Sequence, residues 1–319
     1  LIEAEPGSGA ADHFPDEARP WRNGTCRQRA VATVSRQLRG FSFRQQRAIM
    51  RHGLACVEKW SPQQRDINRI EGDPMARRGD TRRIGLLLPS SNSVQEPDFG
   101  SVLPKDVTLH VARMRLSNVE ADSTLRIVEE IEAESKKLAD VDVDVILFAA
   151  TAPSSRNGIG YDQELVKRIS AASGKPATTA STALLEALRV LSAKRIVLGA
   201  PWSAPVNQTA AAFIEANGFE VLTQEALGHV NNLEIGLLDP ETAYDIGRRI
   251  DRPEADAVML ACGNWSTFGI IERLEQDLGK PVLTTNQVSL WHALKIMECE
   301  PLNGLGVLLR DHLGGEECR

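Results

Sequence analysis

The chain has 319 residues, 42% hydrophobic and 25% charged, which is the composition of a globular protein and excludes a disordered one. A net charge of −6 argues against nucleic acid or an anionic membrane as the main partner. No stretch reaches the ~20 apolar residues of a membrane span, and no basic-then-apolar leader opens the chain, so a cytoplasmic protein is expected.

Residues 1–74 carry 12 Lys or Arg against 9 Asp or Glu and show no sustained period, although Val31 to Met50 fits a loose basic helix. The pattern changes at Met75, which opens MARRGDTRRIGLLLP. Met75 is therefore expected to be the true start, with residues 1–74 a disordered head or read-through of upstream sequence; a basic regulatory arm is the alternative. Cys26 and Cys56 fall in this head and carry no chemistry. The five cysteines show neither CxxC spacing nor the density of a disulfide scaffold.

Beyond the head, short apolar runs alternate with amphipathic stretches. Ile84 to Leu88 and Val145 to Ala149 predict buried strands, being short, nearly all apolar and bounded by turn residues. Ser123 to Leu138 predicts a helix with Leu125, Val128, Ile131 and Leu138 on one side. This alternation predicts parallel sheets covered on both faces.

Internal repetition is the stronger signal. RRIGLLLPSSNS at 82 resembles KRIVLGAPWSAP at 194, and DVDVILFAATAPSS at 142 resembles DAVMLACGNWST at 256. Ile84 to Ala150 and Ile196 to Cys262 span the same distance, 66 residues. GKPATTASTALLEALRVL at 174 resembles GKPVLTTNQVSLWHALKIM at 279. The expected fold is α/β, two pseudo-symmetric doubly wound lobes, each with a mostly parallel sheet, at residues 75–190 and 191–319. The C-terminal helix of the second lobe is expected to pack back on the first.

Ligands of open parallel sheets bind beyond the carboxyl ends of the strands. Four turns follow apolar strands there: Pro89 to Asn92, Ala150 to Ser154, Pro201 to Ser203 and Cys262 to Ser266. Their N–H groups, hydroxyls and amides suit a carboxylate or an enolate oxyanion. GxGxxG, GxxxxGK[ST] and HExxH are all absent from the sequence, which removes the usual support for nucleotide and zinc-hydrolase readings. Cys262 ends a strand beside Gly263 and Asn264, where oriented amides and a following helix N-terminus are expected to lower its pKa toward a thiolate. The plainer reading of Cys262 is a buried core cysteine. Asn92 by itself reads as a helix cap or turn closer, and Trp202 and Trp265 as ordinary core aromatics. His110, His229 and His292 are scattered singly and read as structural, Asn286 and Gln287 as a helix start, and Cys299 and Cys318 as without a chemical role.

The segments GLLLPSSNSVQEPDF, HVARMRLS, FAATAPSS, GKPATTASTALLEAL, HVNNLEIG, LACGNW and TTNQVSLWHALKI together resemble the aspartate/glutamate racemase superfamily. The likeness is to the branch with maleate cis-trans isomerase, arylmalonate decarboxylase and an ectoine-utilisation protein, and runs from about Arg82 to Gly306. It implies a cofactor-free active site between two lobes. In the family's racemases two cysteines face the substrate from opposite sides; here the first position is Ala150 and the second Cys262. The decarboxylase branch likewise lacks the first cysteine and uses the second to protonate an enediolate. Asn92 looks like a substrate-carboxylate amide, and Thr151 like the hydroxyl that binds a carboxylate or enediolate. Trp202 stands where relatives have Tyr and exchanges a phenolic donor for an indole N–H. Ala152 and Pro153 replace a Ser-Gly pair. Asn232 matches a substrate amide, with Asn231 beside it as the competing candidate.

These features add up to a cofactor-independent enzyme acting on a small mono- or dicarboxylate through Cys262, with Asn92, Thr151, Trp202, Asn232, Gly263 and Asn264 around the substrate. The expected reaction is decarboxylation with proton delivery to an enediolate. A maleate-type cis-trans isomerase is the alternative, and a catalytically decayed carboxylate-binding protein a third. Exposed helices leave room for a homodimer.

Overall fold

A computed structural model describes residues 81–116, 118–119, 123 and 126–314. The head with Cys26 and Cys56, and the C-terminal Cys318, lie outside the described residues. All that is described belongs to one unit, Pro74–Arg319.

Among the described residues, eight strands form two separate four-stranded sheets. The first contains β1 (Arg82–Pro89), β2 (Val107–Met114), β3 (Val145–Phe148) and β4 (Ala177–Thr179), in the order β2-β1-β3-β4. The second contains β5 (Arg195–Trp202), β6 (Glu220–His229), β7 (Ala257–Leu260) and β8 (Val282–Thr284), in the matching order β6-β5-β7-β8. Every strand pairing within the two sheets is parallel; Ile84 sits opposite Val145 in the first sheet, and Ile196 opposite Ala257 in the second. The repeat read from the sequence is thus a repeat of topology. Central strands bury nearly every residue because helices cover both faces, which is why Ile84 to Leu88 reads as a continuous apolar run.

The helices are α1 (Gln95–Val102), α2 (Ile131–Ala139), α3 (Thr151–Ser155), α4 (Tyr161–Ser173), α5 (Ala180–Val190), α6 (Ala204–Ala216), α7 (Asn232–Gly236), α8 (Pro240–Ile250), α9 (Ile271–Leu278), α10 (Thr285–Ile296) and α11 (Gly306–Asp311). Of the helix expected over Ser123 to Leu138, Leu125 lies outside the described residues and Ser123 and Arg126 are helical, but the run is interrupted by a 3₁₀ turn at Ile127–Glu129 before α2 begins at Ile131. Glu130 separates the two, and its carboxylate accepts the Arg115 N–H at 3.1 Å. No helix among the described residues is long and apolar enough to cross a membrane.

Helix α10 links the two sheets. It follows β8, starts with a capping box between Thr284 and Gln287, and then packs against α5 and against β3 and β4 of the first sheet. Thr178 of β4 shares a 2.8 Å hydrogen bond with His292 Nδ1 across this contact. Burial there holds the His292 imidazole neutral, with its pKa pushed down to about 4 from 6.5.

A depressed histidine pKa stabilises the fold above pH 6.5 and loses that contribution as pH falls through about 4. His292→Gln is therefore expected to flatten the acid limb of the stability curve by about 3 kcal/mol, measured by urea unfolding between these pH values. An unchanged acid limb would mean that His292 is not the group titrating.

Candidate active site

The carboxyl ends of β1, β3, β5 and β7 converge on one cavity of about 30 Å³. Pro89 and Asn92 enter it from the turn after β1, Ala149 to Pro153 from the end of β3 and the start of α3, Trp202 from the end of β5, and Cys262 to Asn264 from the turn after β7. Asn232 of α7 completes the set, so all seven residues singled out in the sequence meet here. Leu116 and Val119 add apolar wall. Cys262 is the one ionisable side chain among the lining residues. No group of three His, Cys, Asp or Glu side chains among the described residues is placed to hold a metal ion.

Cys262 is 6% exposed. Burial pushes its thiol up to about 12 from 9.0, against the pull of the Asn264 backbone N–H, which is hydrogen-bonded to the sulfur. This corrects the expected thiolate. No helix begins directly after Cys262; Gly263 and Asn264 form a turn, and the next helical residue is Phe268. One amide and no adjacent helix end leave the desolvation cost of the charged form uncompensated.

Thr285, the first residue of α10, was not singled out in the sequence. Its Oγ1 accepts the Cys262 N–H at 3.0 Å and lies 3.1 Å from Thr151 Oγ1. The two turns that face each other across the pseudo-symmetric cleft are thereby joined through one hydroxyl. The aligned repeats hold a signal for it, since Thr285 stands opposite Ala180 and is the polar member of that pair.

Asn92 fills its reading as a turn closer and also lines the cavity. Its Oδ1 accepts the N–H groups of Val94 and Gln95 at 3.0 and 2.9 Å, closing the start of α1, while its Nδ2 donates to the Gly263 carbonyl at 3.0 Å. One amide hydrogen is left for the cavity. Asn264 Oδ1 accepts the Ser93 N–H at 2.8 Å, and its Nδ2 donates to the Asn232 carbonyl at 2.5 Å. Asn232 Nδ2 donates to Ser91 Oγ at 2.8 Å. These amides clasp the β1 turn to the β7 turn and to α7. The structure also separates the neighbouring asparagines: Asn232 is buried on the cavity, whereas exposed Asn231 accepts the Leu233 N–H at 3.0 Å as a cap.

Trp202 differs from the expectation of an indole donor for the substrate. Its Nε1–H donates to Asn207 Oδ1 at 3.2 Å, so the residue offers the cavity a ring face and no free donor. At the start of α3 the first N–H groups have no intrahelical partner, but Pro153 brings none, which leaves those of Thr151 and Ala152.

Gly263 brings its backbone close to the Gln95 side chain. A Cβ there would lie 2.9 Å from Gln95 Oε1 and 3.6 Å from the Ala149 carbonyl. Thr285→Val is expected to leave the buried Cys262 N–H unpaired and to lower stability by about 1–3 kcal/mol, with Thr285→Ser losing less. Urea denaturation of both variants checks this, and a larger loss in Thr285→Ser, which removes the methyl that Val keeps, would assign the effect to methyl packing.

The model of the arylmalonate decarboxylase family, Amdase, matches residues 84–309. A maleate isomerase from Pseudomonas putida is 32% identical over 71% of this chain and 96% of that one. An arylmalonate decarboxylase from Bordetella bronchiseptica is 25% identical over 68% and 90%. Among solved structures, a Nocardia farcinica maleate cis-trans isomerase variant with a covalently bound succinylcysteine intermediate superposes with a TM-score of 0.69 at 28% identity, covering 72% of this chain and 98% of that one. With both sheets, the cleft turns and nearly the full length of these relatives accounted for, the chain belongs to the arylmalonate decarboxylase family, in the branch that also holds the maleate isomerases.

Proposed function

We propose that this enzyme decarboxylates a small malonate-type dicarboxylate, with Cys262 as a neutral acid that protonates one face of the resulting enediolate. The observation that carries this reading is that Cys262, 6% exposed, is the single thiol lining the cavity, with Ala150 at the matching position of the other turn; burial there pushes its pKa up. A proton donor needs the protonated thiol, whereas thiol addition to a carbon–carbon double bond needs the thiolate.

The rest of the cavity suits the same step. One carboxylate is received by the Thr151 hydroxyl, the remaining Asn92 amide hydrogen and the N–H groups at the start of α3. The other lies against Leu116, Val119, Ala152 and Pro153, where an anion loses its hydration and departure of carbon dioxide relieves the charge. The electron pair of the broken C–C bond becomes an enediolate, stabilised by the donors that held the first carboxylate. Cys262 then supplies the proton. Asn232, Gly263 and Asn264 hold the two turns in register, and Trp202 closes the side. The cleft lies between the lobes we assign to residues 75–190 and 191–319.

A maleate-type isomerisation is the second reading, favoured by 32% identity to the P. putida isomerase against 25% to the B. bronchiseptica decarboxylase. Ala150, which supplies no second thiol, and the protonated state of Cys262 weigh against it.

Proton NMR of the full chain in D₂O with malonates, maleate, aspartate and glutamate tests the choice. Decarboxylation predicts a malonate product deuterated once at the α-carbon, with one enantiomer in excess, and a loss of about 100-fold or more in Cys262→Ala. Fumarate from maleate would select the isomerase. Ligand line broadening without turnover, retained in Cys262→Ala, would indicate a carboxylate-binding protein.

A further inference from the structure

Helices α1 and α10 pack against each other through polar side chains. On α1, Gln95 and Asp98 stand one turn apart and share a face; on α10, Asn286 and Ser289 do the same. Asn286 Nδ2 donates to Asp98 Oδ2 at 3.0 Å, which fixes the register of the two faces. Gln95, Asn286 and Ser289 are fully buried. Yet neither Gln95 Oε1 nor Gln95 Nε2 has a protein partner, and the same is true of Asn286 Oδ1 and Ser289 Oγ. Leaving a buried polar atom dry costs about 1–3 kcal/mol, so four such atoms in one contact point to ordered water between them.

This polar seam touches the reactive turn at one end. Gln95 Oε1 lies 2.9 Å from where a Cβ of Gly263 would be, directly after Cys262. Thr285, directly before Asn286, accepts the Cys262 N–H. Asp98, only partly buried, lies at the other end. On the substrate side Cys262 borders the cavity of about 30 Å³, which offers it no second ionisable side chain.

We propose that Gln95, Asn286 and Ser289 hold a file of ordered water between α1 and α10, through which Asp98 returns a proton to Cys262 after each turnover. The proposal rests on Cys262 acting as the acid. In the chemical step the enediolate carbon forms its C–H bond as the S–H bond breaks, leaving a thiolate. The thiolate then takes a proton from the adjacent water, the Asp98 carboxyl gives its proton to the file, and the carboxylate is reprotonated from solvent. Burial raises the Asp98 pKa to about 6, against the pull of the Asn286 hydrogen bond, which keeps a protonated fraction available near neutral pH. Asp98, Gln95, Asn286 and Ser289 are positioning and proton-supply residues that do not touch the substrate.

Two measurements test the relay. Without any substrate, S–H to S–D exchange at Cys262 is followed by infrared difference against Cys262→Ala after transfer to D₂O. Exchange is expected to slow roughly 100-fold in Asp98→Asn and in Gln95→Leu, and to recover in Asp98→Glu. Unchanged exchange in both variants would overturn the relay whatever reaction the enzyme performs. With a malonate that the wild type turns over, rapid quench of Asp98→Asn is expected to show one fast turnover per site and then a slow steady state, because the first proton is already on sulfur. Equal slowing of the first and later turnovers would reduce Asp98 to a structural role and overturn the proposal. Loss of wild-type turnover dependence on Cys262, with exchange still relayed, would instead remove the decarboxylase reading.

Discussion

Water has been taken away from the thiol of Cys262 on nearly every side, and the loss of hydration outweighs the one backbone amide that faces the sulfur. From this follows the protonated resting state, on which rest the proposed use of Cys262 as an acid and the proposed route that returns its proton. A more open thiol at the same strand end, beside a helix N-terminus, would favour the thiolate and a different chemistry. The same dryness acts on the substrate. A carboxylate brought against Leu116, Val119 and Pro153 has no cation to meet it, since the lining residues include no Lys, Arg or His.

The fold creates this condition through parallel topology and one crossing helix. Because both sheets run β2-β1-β3-β4 and β6-β5-β7-β8 with all strands parallel, the turns after their central strands come to the same cleft. Helix α10 leaves the second sheet and packs on the first, bringing Thr285 between Cys262 and Thr151 and placing Asn286 opposite Asp98. The amide clasp from Asn92 to Gly263 and from Ser93 through Asn264 to Asn232 then fixes the turns against each other. Each of these hydrogen bonds is modest alone, about 1 kcal/mol. Their shared effect is to hold the donors of the first turn at a set distance from the thiol of the last.

Much of this was legible in the residues. The equal spacing of Ile84 to Ala150 and Ile196 to Cys262 showed the duplication, because buried parallel strands must be short apolar runs and their following turns must be small and polar. The same logic pointed to the residues that meet in the cavity. Four things were not legible. The sign of the Cys262 shift depends on how completely neighbours exclude water, which no local pattern encodes. Thr285 gains its meaning only once β8 lies beside β7, since a threonine at a helix start ordinarily reads as a cap. Trp202 was expected to offer a donor, but Asn207, one turn further on, takes it. Asn232 was preferred to its neighbour Asn231 on resemblance alone, and the two are separated by which side of the α7 start is buried.

The protonation state of Cys262 is the point on which the mechanism turns, and it is directly measurable. Thiolate absorbance titrated in the native protein, taken as the difference between wild type and Cys262→Ala, isolates this sulfur from the other four cysteines. No Cys262 thiolate is expected up to about pH 9, above the ordinary cysteine value of about 8.5, with ionisation deferred toward about 12. A thiolate already present at neutral pH would contradict the account and return Cys262 to the role of a nucleophile.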